Sequence, residues 1–403
     1  MEDLLIRLLS NRIFIILVLL GLILLSVFFI YYFFIREGAP KETTPEVPIA
    51  KEQELSPSPT LPSPTDQQAQ TESPTPSPSP LNQGEVKVAS KNEASDPWLS
   101  PDGRSLKYLF KSDGTVYQIN LQENKEEALV SFTPNLIKIL WSPNGYHLIN
   151  IFDQGEGKIN KYSYDSITKE NITLDPNFKF IAWSPSSDKI AYHYFDPKTE
   201  EGFVSVANAD GKNWENLAPL LLKDLIVEWP SKNKISFYGS PPSNLTAVDL
   251  NIINPETTEP IQKILSSKYG LKTNWSPSGT RLLFSAAPSR NGRPKLFILN
   301  EALEEKSLEI EGMADKCAWS KSENYIYCAL PQNLTQDINL PQDWYSNKFL
   351  SQDLLFKIDI NSGEKTQITK GTTYDFSNLL ASSDDSYLYF IGKESEFLYE
   401  VKL

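Results

Sequence analysis

Residues Ile139–Phe152 read ILWSPNGYHLINIF, two apolar runs split by Ser-Pro-Asn-Gly. On both sides the residues are aliphatic, aromatic or alternating, so both flanks read as strands. Within the break, Pro presets φ for the second position of a β-turn. Asn suits the third, and Gly can take a positive φ after it. The stretch is therefore a hairpin. Trp141 ends its first strand, where a large ring can be buried against a neighbouring unit.

The same break recurs along the chain. It reads WLSPDGRSLKYLF from Trp98, WSPSSDKIAYHYF from Trp183, WPSKNKISFYG from Trp229, WSPSGTRLLFS from Trp275 and WSKSENYIYCAL from Trp319. A degenerate seventh copy, LASSDDSYLYFIG, starts at Leu380. The tryptophans are 43, 42, 46, 46 and 44 residues apart, and six of the chain's eight hold this position. Chance does not set a rare residue beside one turn motif so often. Each repeat carries two further strand candidates, such as Val116–Leu121 and Glu127–Phe132 in the first, or Lys295–Asn300 and Lys306–Ile310 in the fifth. Four short strands in each ~43 residues is the pattern of propeller blades, and 3.6-residue periodicity is missing.

The expected fold is all-β: a seven-bladed β-propeller of four-stranded antiparallel blades over residues 85–403. The seventh repeat offers only three strands, Asn378–Ala381, Tyr387–Ile391 and Leu398–Leu403. Glu85–Ala89 (EVKVA) has no blade of its own. It is predicted to complete the last blade by pairing with Leu398–Leu403, because closure removes the exposed edge of an open β array.

The W-S-P-[DN]-G pattern and the aliphatic-aromatic strand after it resemble TolB-like, WD-repeat-like β-propeller repeats, over residues 85–403. The resemblance implies the fold. Related blades occur in periplasmic TolB, implicated in protein–protein contacts in the envelope, and beside the catalytic domain of prolyl oligopeptidase-like enzymes. TolB's additional α/β domain has no counterpart here. No hydrolase sequence follows the last repeat, so peptidase activity is not expected.

Ahead of the repeats, after a short tail (1–12), Ile13–Ile35 is 23 residues without a charge. As a helix it would span roughly 34 Å, enough for a bilayer core. It is too long for a signal peptide and no A-x-A site follows it, so it reads as an uncleaved membrane anchor. Arg7 and Arg12 precede it, and Arg36 and Lys41 follow, so charge barely orients it. The short leading tail and the long polar remainder favour a cytoplasmic N-terminus and an extracytoplasmic propeller. Residues 36–84 form a Pro/Ser/Thr-rich linker, with 11 of the 29 prolines between Gly38 and Gly84. Such composition cannot bury a core and is expected to be disordered or extended.

Charge narrows the function. Residues 1–37 are neutral, residues 38–84 carry −4, and the remaining −9 of the net −13 falls on residues 85–403. Without a basic patch, nucleic-acid binding is not expected. Two His and two Cys are too few for a metal site of that type, and no cofactor motif or nucleophile elbow occurs. His147 and His193 fall at strand positions and read as packed or rim residues. If the hairpin turns around Ser320–Asn324, Cys317 and Cys328 stand nearly opposite, within disulfide reach; a slip of one register would part them. The sequence leaves both states open.

The strongest irregularity is Pro331–Gln352 (PQNLTQDINLPQDWYSNKFLSQ), much longer than other links between second and third strands. Long ordered loops are often functional. It carries Trp344 and Tyr345, and the adjacent loop of the fifth repeat carries Arg290 and Arg293. Exposed aromatics beside Arg suit a binding patch. The alternative is that Trp344 folds back onto its blade. These features predict a membrane-anchored, non-enzymatic interaction or scaffolding module of the cell envelope with a protein partner. The alternatives are a glycan-binding or glycan-cleaving propeller using carboxylates at the central channel, and a cytoplasmic-facing sensor if orientation is reversed.

Overall fold

The structure is a computed structural model that describes residues 82–403, apart from Thr258 and Thr372. The expected anchor (13–35) and nearly all of the expected linker (36–84) lie outside the described residues. Among those described, no helix is long and apolar enough to cross a membrane.

The described chain is all-β, with antiparallel pairing within each repeat. Five sheets have four strands, and one has seven. In the seven-stranded sheet a single strand, Gln262–Trp275, pairs through its first half with Ala247–Ile253 and through its second half with Leu282–Ala287. It thus ends the fourth repeat and begins the fifth.

The quoted hairpin forms as its residues demand. The Gly145 N–H closes the turn on the Ser142 carbonyl at 2.9 Å, and Gly145 has φ of 69°. Ser142 adds a contact that the turn statistics do not contain. Its hydroxyl accepts the His147 N–H at 3.0 Å. The serines at 100, 184, 276, 320 and 382 do the same for the N–H five residues on. Gly145 serves a second purpose: a Cβ there would lie 2.3 Å from the Trp98 ring. The turn of one repeat is the seat for the tryptophan of the repeat before it.

The indole N–H groups join successive repeats. Trp141 donates to the Asp96 carbonyl (2.7 Å), Trp183 to Leu140 (2.9 Å) and Trp319 to Asn274 (3.0 Å). Trp275 differs, donating to the Glu228 carboxylate (3.1 Å) and the Ser236 hydroxyl (3.0 Å). The first strands of the repeats pack side by side around an axis. Ser95–Leu99 meets Leu136–Trp141 on one side and Phe376–Ala381 on the other, and Cys317–Trp319 meets Phe376–Ala381. Apolar clusters fill the spaces between neighbouring sheets.

The ring closes through the N-terminal strand. Val86–Glu93 pairs antiparallel with Phe397–Lys402, in register Val86↔Val401 and Val88↔Tyr399, and after an irregularity Glu93↔Phe397. The strand runs four residues beyond Ala89, and the Ser90 hydroxyl accepts the Leu398 N–H at 3.0 Å. This is the pairing expected of residues 85–89.

Candidate functional site: an axial cavity and its cap

Because the hairpins alternate, the turns between second and third strands share one face with the links between repeats. The loop after Pro331 crosses that face. At the fourth repeat, Gln342 donates to the Asn244 side-chain carbonyl (2.6 Å) and the Ser243 hydroxyl (3.2 Å). At the fifth, Arg293 donates to the Thr335 carbonyl at 2.6 Å and pairs with Glu311. At the last, Lys393 bonds the Trp344 carbonyl and stands 4.0 Å over its ring. The loop is a cap that spans from the fourth repeat to the last. Met313, Leu340, Trp344 and Phe349 form its apolar core.

This placement corrects the expected binding patch. Trp344 is only 7% exposed, so it folds back onto the scaffold and offers no surface to a partner. Arg293 is spent on holding the cap. Tyr345 is partly exposed, but its hydroxyl is bonded to Asp315, and burial with that carboxylate pushes its pKa well above the usual phenol range. Arg290 is exposed on the neighbouring loop. The four residues do not form one exposed cluster.

A buried ion cluster anchors the cap. The Lys316 ammonium is fully buried and donates to Asp353 (2.6 Å) and Asp375 (2.8 Å). Asp375 also accepts the Trp344 indole N–H (2.8 Å) and the Ser351 N–H (2.9 Å). Asp353 accepts the Phe376 N–H at 3.1 Å. Burying charge is costly unless each group is paired and hydrogen-bonded, and here both carboxylates are. Burial still pushes the Asp353 carboxyl up against the pull of Lys316. Beside this cluster, Cys317 and Cys328 are direct cross-strand partners. Their sulfurs are 2.11 Å apart, the arrangement of a disulfide.

Along the axis lies a cavity of about 460 Å³, lined from five of the inner segments. Its walls include Glu228, Trp229, Thr273, Trp275 and Asp315. The Thr273 hydroxyl lies 2.8 Å from both oxygens of Glu228 and 3.0 Å from the Tyr238 hydroxyl. Ser236 and Trp275 also donate to Glu228, yet burial outweighs these bonds and pushes its carboxyl up. Tyr345 of the cap reaches Asp315 at this cavity. Among the described residues, no three His, Cys, Asp or Glu side chains are grouped to hold a metal ion.

The cap leaves the third-repeat side of the face open. There, Leu221 is 95% exposed, Leu222 53% and Phe180 38%. Beneath them His193 is fully buried, its ring centroid 6.4 Å from that of Phe180 and 6.1 Å from that of Phe195. Neither ring nitrogen makes a hydrogen bond of good geometry. Lys179 and Lys223 lie over Phe195 at 5.0 and 6.0 Å. The sequence signal was present in Leu221-Leu222, which follow the strand Glu215–Leu220 and sit in a link where apolar residues have no sheet to face.

The strand order, the closed ring and the axial cavity define a β-propeller. No protein-family model matches the chain, and no curated protein matches it. Solved structures do match in fold. An oligogalacturonate lyase in complex with manganese is similar over 79% of this chain and 93% of its own, at 12% identity and a TM-score of 0.59. The β-propeller domain of Cps50 (Swd1) from Myceliophteria thermophila is 14% identical over 79% of this chain and all of its own, with a TM-score of 0.53. The propeller domain of the Trilobed protease from Pyrococcus furiosus is 16% identical over 74% of this chain and 88% of its own, with a TM-score of 0.52. That domain is described as having an open velcro topology, whereas here the first strand pairs with the last. The TolB-like, WD-repeat-like resemblance thus holds at the level of the fold.

Proposed function

We propose that this chain is a membrane-anchored, seven-bladed propeller that works outside the cytoplasm as a protein-interaction module of the cell envelope. Counting Gln262–Trp275 in both of its pairings supports seven blades. The uncharged run at 13–35 supports the anchor, and the Pro/Ser/Thr-rich stretch after it supports a tether. The observation that carries the interaction reading is the grouping of three exposed apolar side chains, Phe180, Leu221 and Leu222, on the uncapped side of one face. Exposed apolar clusters on propeller faces are suited to protein contacts. The contact surface is thereby the open side of the capped face and not the loop aromatics.

The test is crosslinking of the full chain in intact envelopes, comparing the unaltered protein with Leu221→Glu/Leu222→Glu. Substitution on this exposed link should shift stability by no more than about 0.5 kcal/mol. The expected result is loss of specific crosslinks; an unchanged pattern rejects this surface. Protease accessibility of the propeller in intact cells tests the orientation.

A second reading has one observation in its favour: two carboxyl groups, Glu228 and Asp315, line the axial cavity, and the fold is shared with an oligogalacturonate lyase. On this reading the cavity takes a glycan. Glycan-array binding that is lost in Glu228→Gln would support it.

A further inference from the structure

The chain enters its described part between the last two repeats. The Gly84 N–H donates to the Lys402 carbonyl at 2.9 Å, and a Cβ on Gly84 would lie 2.2 Å from the Ile368 carbonyl oxygen. The residues ahead of Gly84 are therefore delivered at the cleft between Lys365–Gln367 and Phe397–Lys402. Four residues further on, Val88 stands opposite Tyr399. Four strand residues span roughly 13 Å, so a segment that turns back ahead of Gly84 reaches Tyr399 within about five residues.

The same cleft opens into a groove of about 460 Å³. Leu350 of the cap, Tyr374, Gly392 and Tyr399 are part of its wall. The two tyrosine rings lie 5.3 Å apart and are tilted by 56°, so they form a notch. Leu350 is 46% exposed, and so is Val88 beside Tyr399. Two of the charged groups in the lining are already engaged, Asp375 by Lys316 and Lys393 by the Trp344 carbonyl. Such a groove suits an uncharged segment with flat apolar side chains.

The residues just ahead of Asn82 have that character. Residues 73–80 read SPTPSPSP, four prolines in eight residues with no charge. This composition favours a polyproline II helix, which has three residues per turn and keeps its backbone carbonyls free to accept hydrogen bonds. Alternating prolines put a ring on each of its three edges, so every rotation presents proline. Aromatic-lined grooves receive such helices because the segment is ordered before it binds and loses little entropy. Tyr374 and Tyr399 supply the aromatic faces, and the Tyr374 phenol can donate to a peptide carbonyl.

We propose that residues 73–80 of this chain dock in the groove formed by Tyr374, Tyr399 and Leu350. Tethering strengthens the contact, since a segment held by a few residues has an effective concentration of about 1 mM. An intrinsic Kd of about 0.1 mM then fills the groove roughly nine-tenths of the time. Docking covers Leu350 and Val88 and leaves residues 36–72 as the tether. The site is separate from the Leu221–Leu222 surface and does not rest on it.

Fluorescence anisotropy of a labelled peptide, SPTPSPSPL, tests this with the full chain in detergent. The unaltered chain is compared with a variant lacking residues 56–81, whose groove has lost its own occupant. The peptide should bind the shortened variant with Kd of about 0.1 mM. It should bind the unaltered chain roughly tenfold more weakly, because the chain's own segment competes. A peptide with Ala in place of each Pro should bind the shortened variant at least roughly tenfold more weakly. Leu350→Glu and Val88→Glu, at exposed positions of the shortened variant, should each weaken binding by a similar factor. Leu221→Glu/Leu222→Glu should leave it unchanged, so failure here is distinct from failure of the docking surface. The proposal is overturned if the peptide does not bind the shortened variant, or if the Ala peptide binds as well. Equal binding to both chains also overturns it, because the groove would then be open to a partner's segment and not filled by this chain's own. Binding unaffected by both Leu350→Glu and Val88→Glu would place the peptide elsewhere and overturn it as well.

Discussion

At the scale of single residues, His193 carries the clearest pH signature. Burial, and then the charge of Lys179, lower its pKa from 6.5 to about 4. Asp224 and the Leu222 backbone oppose this only in part. The unfolded chain therefore takes up a proton near pH 6.5 that the folded chain refuses. Stability is retained above pH 6.5 and falls as pH drops from about 6.5 to about 4, by on the order of 3 kcal/mol in all. His193→Phe, flanked by Phe180 and Phe195, should flatten this part of a urea-denaturation profile measured against pH. A profile identical to that of the unaltered protein would show that His193 is not the group responsible. Trp344 teaches the converse lesson. The sequence offered two places for it, an exposed binding patch or a fold back onto its blade, and the ring takes the second, where Asp375 accepts its indole N–H and two lysines lie over it.

At the scale of elements, the cap depends on the Lys316 cluster more than on any apolar contact. Lys316→Met would leave Asp353 and Asp375 buried and facing each other without a cation. The expected cost is about 3–5 kcal/mol. Trp344→Phe removes one hydrogen bond to Asp375 and should cost about 1–3 kcal/mol. Guanidinium unfolding midpoints at neutral pH give the order, and a larger effect for Trp344→Phe would contradict the assignment of the anchor to charge. The strands and their turns were legible beforehand, because each S-P-x-G break is decided by neighbours within five residues. The serine hydroxyl that braces six of the seven turns was in the motif from the start. Its pattern of accepting the N–H five residues on becomes evident only in the backbone geometry.

At the scale of the whole molecule, closure by Val86–Glu93 is what makes the array a ring. Without it, Phe397–Lys402 would present an open edge, the usual template for pairing with another chain. Deleting residues 82–93 should therefore convert a monodisperse propeller into associating species, seen as higher-mass peaks in light scattering. A deletion variant that stays monodisperse with unchanged thermal stability would show that the ring does not need this strand. The axial cavity belongs to the same scale. Its lining draws on residues as far apart as Pro97 and Leu380, and no local window of sequence contains it.

The amino-acid sequence by itself determined the repeat, the hairpin within it, the all-β class and the strand that closes the ring. These follow from turn chemistry, alternation and a repeat length of about 45 residues, all short-range or periodic properties. Only the tertiary structure decided where the loop after Pro331 lands, that Trp344 is buried, and that Lys316 meets Asp353 and Asp375, 37 and 59 residues away. The reason is geometric. A ring brings the start of every repeat to one axis and the long loop over one face, so its chemistry is made by residues from different repeats, and their convergence is written in no single one of them.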